Sequence, residues 1–275
     1  MPEKPSNTPF PGYVPSTISH EQREKWQKES VEGALPFLNL PAPEMELFAP
    51  DRHLAQAAYR NDAHSGPSNT PPPLPLYVAA RANSQTALVP REEDCLALWD
   101  KYEMLDNIRS HSKRVADMAL GIALLGCEKG LRTNPEAIYA AGLLHDLGKT
   151  YTILHGGNHA QLGAAWVMHE TRNPEIARCV FYHVYWPWEE HLYQEAFFSV
   201  LVIAYADKRV QHDKYVSLDE RFSDLMERYG KSEYTRSRIG MTRDQGKRME
   251  DALSRQLGVN LHEYIADSGR LVKRA

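Results

Sequence analysis

The sequence predicts an all-α fold: a helical bundle preceded by a proline-rich, largely irregular N-terminal segment. Three observations lead there. Fifteen of the eighteen prolines fall in the first ninety residues. Helical periodicity with few breakers runs from Arg91 onward, and no segment alternates convincingly with the period of a strand. The expected organisation is a proline-rich extension over residues 1–90, disordered or loosely packed, and a helical domain over residues 91–275.

In the extension, Pro71, Pro72, Pro73 and Pro75 rule out long helices and central strands. Short helices around His20 to Glu32 and Asp51 to Arg60 lack an apolar face wide enough to fold alone. The segment reads as a flexible tail or linker, or as a polyproline docking site for a partner protein.

In the helical domain the spacing predicts helices over about Glu92 to Glu103, Asp106 to Lys129, Pro135 to Leu144, His159 to Glu170, Pro174 to His183, Glu195 to Lys208 and Leu218 to Tyr229. A last one is expected near Asp244 to Gln256. Asn134 and Asn173 each precede a proline, so asparagine supplies the cap and proline the first helical position.

Of the 275 residues, 42% are apolar, enough for a sizeable core. A net charge of -4 with dispersed basic residues gives no footprint for duplex nucleic acid. The apolar runs are too short to span a bilayer and no basic-then-apolar leader opens the chain, so a cytoplasmic protein without membrane contact is expected. Cys95, Cys127 and Cys179 are odd in number and far apart, as reduced packing residues would be.

The histidines carry the chemistry. His111 shares a helical stripe with Ile108, Val115, Met118 and Ile122. His145 ends the stripe of Ile138, Ala141 and Gly142, and is followed by Asp146. His183 extends the stripe of Ile176 and Val180, and Asp207 extends that of Ala196, Val200 and Ile203. One inward histidine is more often a hydrogen-bonded core residue than a ligand, and one inward aspartate is usually a cap or ion-pair partner. Four such groups aimed inward from four helices are explained together by shared metal coordination, because an unpaired buried carboxylate is costly. Imidazoles with carboxylates suit iron, manganese, zinc, nickel or cobalt.

With His111, the run Leu143-Leu144-His145-Asp146-Leu147-Gly148-Lys149, and Asp207 in Tyr205-Ala206-Asp207-Lys208, the chain resembles the HD-domain superfamily of metal-dependent phosphohydrolases, the HDIG type in particular. The adjacent His-Asp pair is the most specific element. The resemblance covers about Arg91 to Phe222, including Val216-Ser217-Leu218-Asp219-Glu220-Arg221-Phe222. It implies a dinuclear site: His111, His145, Asp146 and Asp207 on one divalent ion, Asp146, His159 and His183 on a second, whether iron, manganese, magnesium, nickel, cobalt or zinc. His159 precedes Gly163 and Ala164 as in the family pattern, whereas Gly156 and Gly157 separate His155 from it.

By the same resemblance the function is a phosphohydrolase for a nucleotide, a dinucleotide polyphosphate or another small phosphate ester. A bridging water is the nucleophile and Asp146 and Lys149 are the catalytic groups. Lys149 is equally well read as a surface cation complementing a helix C-terminus. Arg114 and Lys208 could add positive charge for substrate, and Tyr182 and Trp186 could stack on a base, though each also suits solvation or ordinary packing. The rival functions are a mixed-valent di-iron oxygenase of the same superfamily and a nucleotide-binding module without turnover.

Overall fold

The structure, a computed structural model, describes residues 87–274; the expectations for the earlier proline-rich segment lie outside the described residues. Nine α-helices are described: α1 Glu92–Lys101, α2 Asp106–Glu128, α3 Pro135–Leu144, α4 Lys149–His155, α5 His159–Thr171, α6 Pro174–Tyr182, α7 Phe198–Lys208, α8 Leu218–Tyr229 and α9 Glu233–Leu257. Two antiparallel hairpins complete the fold, β1 Val210–Gln211 with β2 Lys214–Tyr215 and β3 Tyr264–Asp267 with β4 Arg270–Lys273. The fold is all-α, with strands too short to form a layer. None of the described helices is long and apolar enough to cross a membrane.

The caps form as the sequence predicts. Asn134 Oδ1 accepts from the Ala137 amide at 3.1 Å, and Asn173 Oδ1 from Glu175 and Ile176 at 3.0 and 3.2 Å. Ser217 and Glu220 close a reciprocal capping box on α8. Four expectations need correction. The seven-residue α4 was not foreseen, α9 begins at Glu233 rather than near Asp244, and both hairpins lie where no strand was expected. The stretch from Glu195 is also a short 3-10 turn to Phe197 before α7 begins.

The long helix α2 runs through the middle and touches α3, α7 and both hairpins. Its approach to α3 is set by Gly142: a Cβ there would meet the Ala116 Cα at 2.5 Å. Gly148, between α3 and α4, plays the same part against α5, where a Cβ would meet the His159 carbonyl oxygen at 2.6 Å and the Gly163 amide nitrogen at 2.8 Å. Each close approach thus lies beside a candidate ligand. The helix α7 is buried along nearly its whole length, from Phe198 through Ala206, which fixes Asp207 at its end.

Candidate metal centre

Five helices and one turn deliver six side chains to one place. His111 lies in α2, His145 caps α3, Asp146 follows in the turn, His159 opens α5, His183 caps α6 and Asp207 ends α7. His111, His145, Asp146, His159 and His183 are all buried, and Asp207 is partly so.

His145 and His183 are positioned by one local device. Each sits just past its helix, and its Nδ1 donates back to the carbonyl three residues earlier, to Gly142 at 2.8 Å and to Val180 at 2.6 Å. These are carbonyls that a helix end leaves without an amide donor. His111 Nδ1 donates to the His212 carbonyl at 3.1 Å, in the turn between β1 and β2. A carbonyl can only accept, so Nδ1 carries a proton in all three, and each ring turns its Nε2 inward, where it offers a lone pair whenever the ring is neutral. This is how ligating histidines are held by their outer partners.

At the centre, the Nε2 atoms meet the carboxylates. His111 Nε2 is 3.0 Å and His145 Nε2 3.7 Å from Asp207 Oδ1. Asp146 lies between two sets of imidazoles. Its Oδ2 is 3.4 Å from His145 Nε2, while its Oδ1 is 3.3 Å from His159 Nε2 and 3.7 Å from His183 Nε2. His159 Nε2 and His183 Nε2 are 3.2 Å apart. Nitrogens each about 2.1 Å from one ion would be roughly 3.0 to 3.4 Å apart, so this spacing fits neighbouring ligands.

The electrostatics call for a cation. His145 Nε2 and Asp146 Oδ1 are buried without a hydrogen-bond partner, an arrangement costly unless something else satisfies them. Burial would raise both carboxyls, yet Lys149 and His145 hold Asp146 well below the usual range, and His111 and His145 do the same for Asp207. Burial works against a charged His145, but Asp146 and Asp207 overcome it and push its pKa up to about 10. His159, more affected by burial, falls to about 3. The cluster thus gathers positive charge at its centre, by a proton if by nothing else. Among the described residues, two groups could hold a metal ion: His111, His145 and Asp207, and His145, Asp146 and His183. The donors, neutral imidazoles and ionised carboxylates, fit a divalent transition metal.

The remaining candidates are distributed unevenly. Lys149 stands at the site, its Nζ 2.7 Å from Asp146 Oδ2, with 17% of its side chain exposed. Lys208 points away: its ammonium donates to the carbonyls of His183, Val184 and Ala204, at 3.0, 3.3 and 3.0 Å. All three donors are consumed, so it braces α6 against α7 rather than meeting a substrate. Trp186 is fully buried, wedged between Tyr182, Trp188 and Phe197, and this packing corrects the expectation that it contacts a ligand. Tyr182 is buried in the same group. Arg114 is at the surface, where its Nε donates to the Asp213 carbonyl at 3.1 Å. Sequence reasoning missed the His212 carbonyl, because a backbone acceptor has no residue signature.

Comparison with known proteins bears on the same stretch. Residues 108–215 match the family model of the HD domain. The chain contains an HD domain. Two curated relatives align with part of the chain. A tRNA (cytidine(56)-2'-O)-methyltransferase of Thermoplasma volcanium is 31% identical over 109 residues, 40% of this chain and 30% of its own length. Ribonuclease Y of Opitutus terrae is 29% identical over 103 residues, 38% of this chain and 18% of its own. The chain thus spans under a third of either relative. No solved structure gives a significant match.

Proposed function

We propose that the HD domain is a metal-dependent phosphohydrolase for a nucleotide, a dinucleotide polyphosphate or another small phosphate ester, with a dinuclear site and water as the nucleophile. The observation that carries this reading is the placement of Asp146, one oxygen 3.4 Å from His145 Nε2 and the other 3.3 Å from His159 Nε2. A carboxylate so placed can be shared by His111, His145 and Asp207 on one side and His159 and His183 on the other. Bound divalent cations would supply a water of lowered pKa and neutralise charge building on the phosphoryl oxygens.

The chain's own groups prepare the rest. The Nδ1 bonds of His111, His145 and His183 fix their rings before substrate arrives, so no reorganisation is spent on them. Lys149, partly exposed at Asp146, is placed to meet a phosphate or leaving-group oxygen with a positive charge. Leu143, Leu144 and Leu147 are fully buried behind the His145-Asp146 corner and keep water from that side.

The test is metal analysis of protein purified without chelator, then phosphate release from a panel of phosphomonoesters, nucleotides and dinucleotide polyphosphates, with and without dioxygen. Short RNA belongs in the panel because one relative is named as a ribonuclease. Two metals per chain with phosphate release indifferent to oxygen is the expected result. Iron-dependent oxygen consumption without phosphate release would replace this reading with the oxygenase. Tight nucleotide binding without turnover would replace it with a binding module.

A further inference from the structure

The chain leaves α6 at His183, so this candidate ligand stands on a residue that no longer belongs to a helix. Two side chains hold the turn that follows. Gln245 of α9 pairs with Trp186 in both directions, its Oε1 accepting from the Trp186 amide at 3.0 Å and its Nε2 donating to the Trp186 carbonyl at 2.6 Å. Nearer the ring, Lys208 Nζ donates to the carbonyls of His183 and Val184 at 3.0 and 3.3 Å, and to that of Ala204, one turn back on α7, at 3.0 Å.

Lys208 is 4% exposed, and its stem passes over Gly246 of α9, with Cδ 3.4 Å from where a Cβ would be. A buried ammonium is costly unless all its donors are met, and here main-chain oxygens meet all three. Its charge suits the end of α6, where carbonyls lack amide donors and the helix dipole is negative.

The position of Lys208 in the chain gives this bracing a consequence for the centre. It follows Asp207, which belongs to the group of His111 and His145, and it grips the carbonyl of His183, which belongs to the group of His145 and Asp146. The His183 ring is turned by its Nδ1 bond to the Val180 carbonyl, at 2.6 Å, and meets His145 edge-on with centroids 5.0 Å apart. Val180 thus sets the ring's direction and Lys208 the place of the backbone that carries it.

We propose that Lys208 is a positioning residue of this HD domain, one that sets the spacing between the two ligand groups by holding the His183 backbone in place relative to Asp207. The assignment rests on the metal-dependent reading above and adds to it the link between the two halves of the centre. Lys208 touches neither cation nor substrate; it acts through His183.

The experiment is a double-mutant cycle on the full chain, stripped with chelator and titrated with manganese, free ion being followed by electron paramagnetic resonance. The wild type is compared with Lys208→Met, His183→Ala and the double variant. Lys208→Met should weaken the less tightly held ion by about 10- to 100-fold, as loss of an outer partner does. In the His183→Ala background the same replacement should change that affinity by less than about 2-fold, the scatter expected when nothing remains to be lost. A brace that serves only the fold would instead weaken binding by the same factor in both backgrounds, and that outcome overturns the assignment. So does manganese affinity in Lys208→Met within about 2-fold of the wild type.

Should Lys208→Met lose its melting transition, Lys208→Gln takes its place in the cycle, keeping part of the stem and an amide donor. Collapse of both makes Lys208 a residue of the fold and ends the proposal. A wild type that holds one ion removes the dinuclear site, and the cycle is then read on that ion. If the wild type binds manganese but releases no phosphate from any ester, the hydrolase reading fails and the cycle still decides Lys208. If it binds no manganese, both fail together.

Discussion

Three imidazoles of the HD domain donate their Nδ1–H to backbone carbonyls, so the ligand nitrogens are chosen by the main chain before any ion arrives. The carboxylate between them has no such redundancy. Replacing Asp146 with Ala is expected to strip metal from both groups. His183→Ala should chiefly weaken the side shared with His159, by a factor above the roughly 10- to 100-fold that outer partners are worth. Metal content by emission spectroscopy after dialysis checks both; full occupancy in Asp146→Ala would disprove the shared placement. Much of this was legible in the sequence, because inward histidines continue apolar stripes and the His-Asp pair is a compact signal. What was not legible was direction. Lys208 and Arg209 look like cations available beside Asp207, but their donors turn back into the protein.

Among the elements, the turn from α3 to α4 leaves no room for a side chain at Gly148. Gly148 has an ordinary helical φ of -79, so alanine there costs nothing in backbone strain, only in space. Its Cβ would collide with the His159 carbonyl oxygen and the Gly163 amide. Gly148→Ala is therefore expected to destabilise by about 1 to 3 kcal/mol as overpacked cores do. It should also lower metal affinity by moving His159 away from Asp146; a melting scan with a zinc or manganese titration separates the two effects.

The cap of α8 gives a pH signature. The Ser217 amide first, then the Ser217 and Arg274 side chains, hold the Glu220 carboxyl down to about 2, against an ordinary 4.5. Being depressed in the fold, it stabilises fully above about 4.5 and ceases to as pH falls toward 2. The difference in melting temperature between the wild type and Glu220→Gln should be constant from pH 7 to 5 and shrink by pH 3.

The elements that sequence reasoning missed are missed for physical reasons. The helix α4, pinned between Gly148 and Gly156, is too short to show a period. The first half of α9 buries Thr235, Ile239 and Gln245, a face too polar to be read as one. Strands of two residues cannot display alternation at all.

At the scale of the whole molecule, Arg209 ties distant parts of the chain together. It is fully buried, and its guanidinium joins the end of α7 to the Leu261 and Tyr264 carbonyls and, at 3.4 Å, to Glu250 of α9. Tyr205 and Glu250 share the same network through a 2.7 Å hydrogen bond. Removing the cation leaves Glu250 and the carbonyls of Val216, Leu261 and Tyr264 without their donor. Arg209→Met is expected to lower unfolding stability by about 3 to 5 kcal/mol, the cost of breaking a buried pair from one side. Urea unfolding measures it, and a loss below about 1 kcal/mol would mean that the network is worth little more than a surface pair.

The carbonyl that accepts the His111 Nδ1–H hydrogen bond belongs to His212, a non-glycine residue at φ 56° in a hairpin of only two-residue strands. So small a ribbon is marginal by itself. Occupancy of the centre and closure of this ribbon are therefore thermodynamically linked, each favouring the other by the same factor. Amides from Val210 to Tyr215 should exchange with deuterium more slowly once the cation is bound, and loosening the ribbon should speed the cation's departure, although no atom of its two strands coordinates anything.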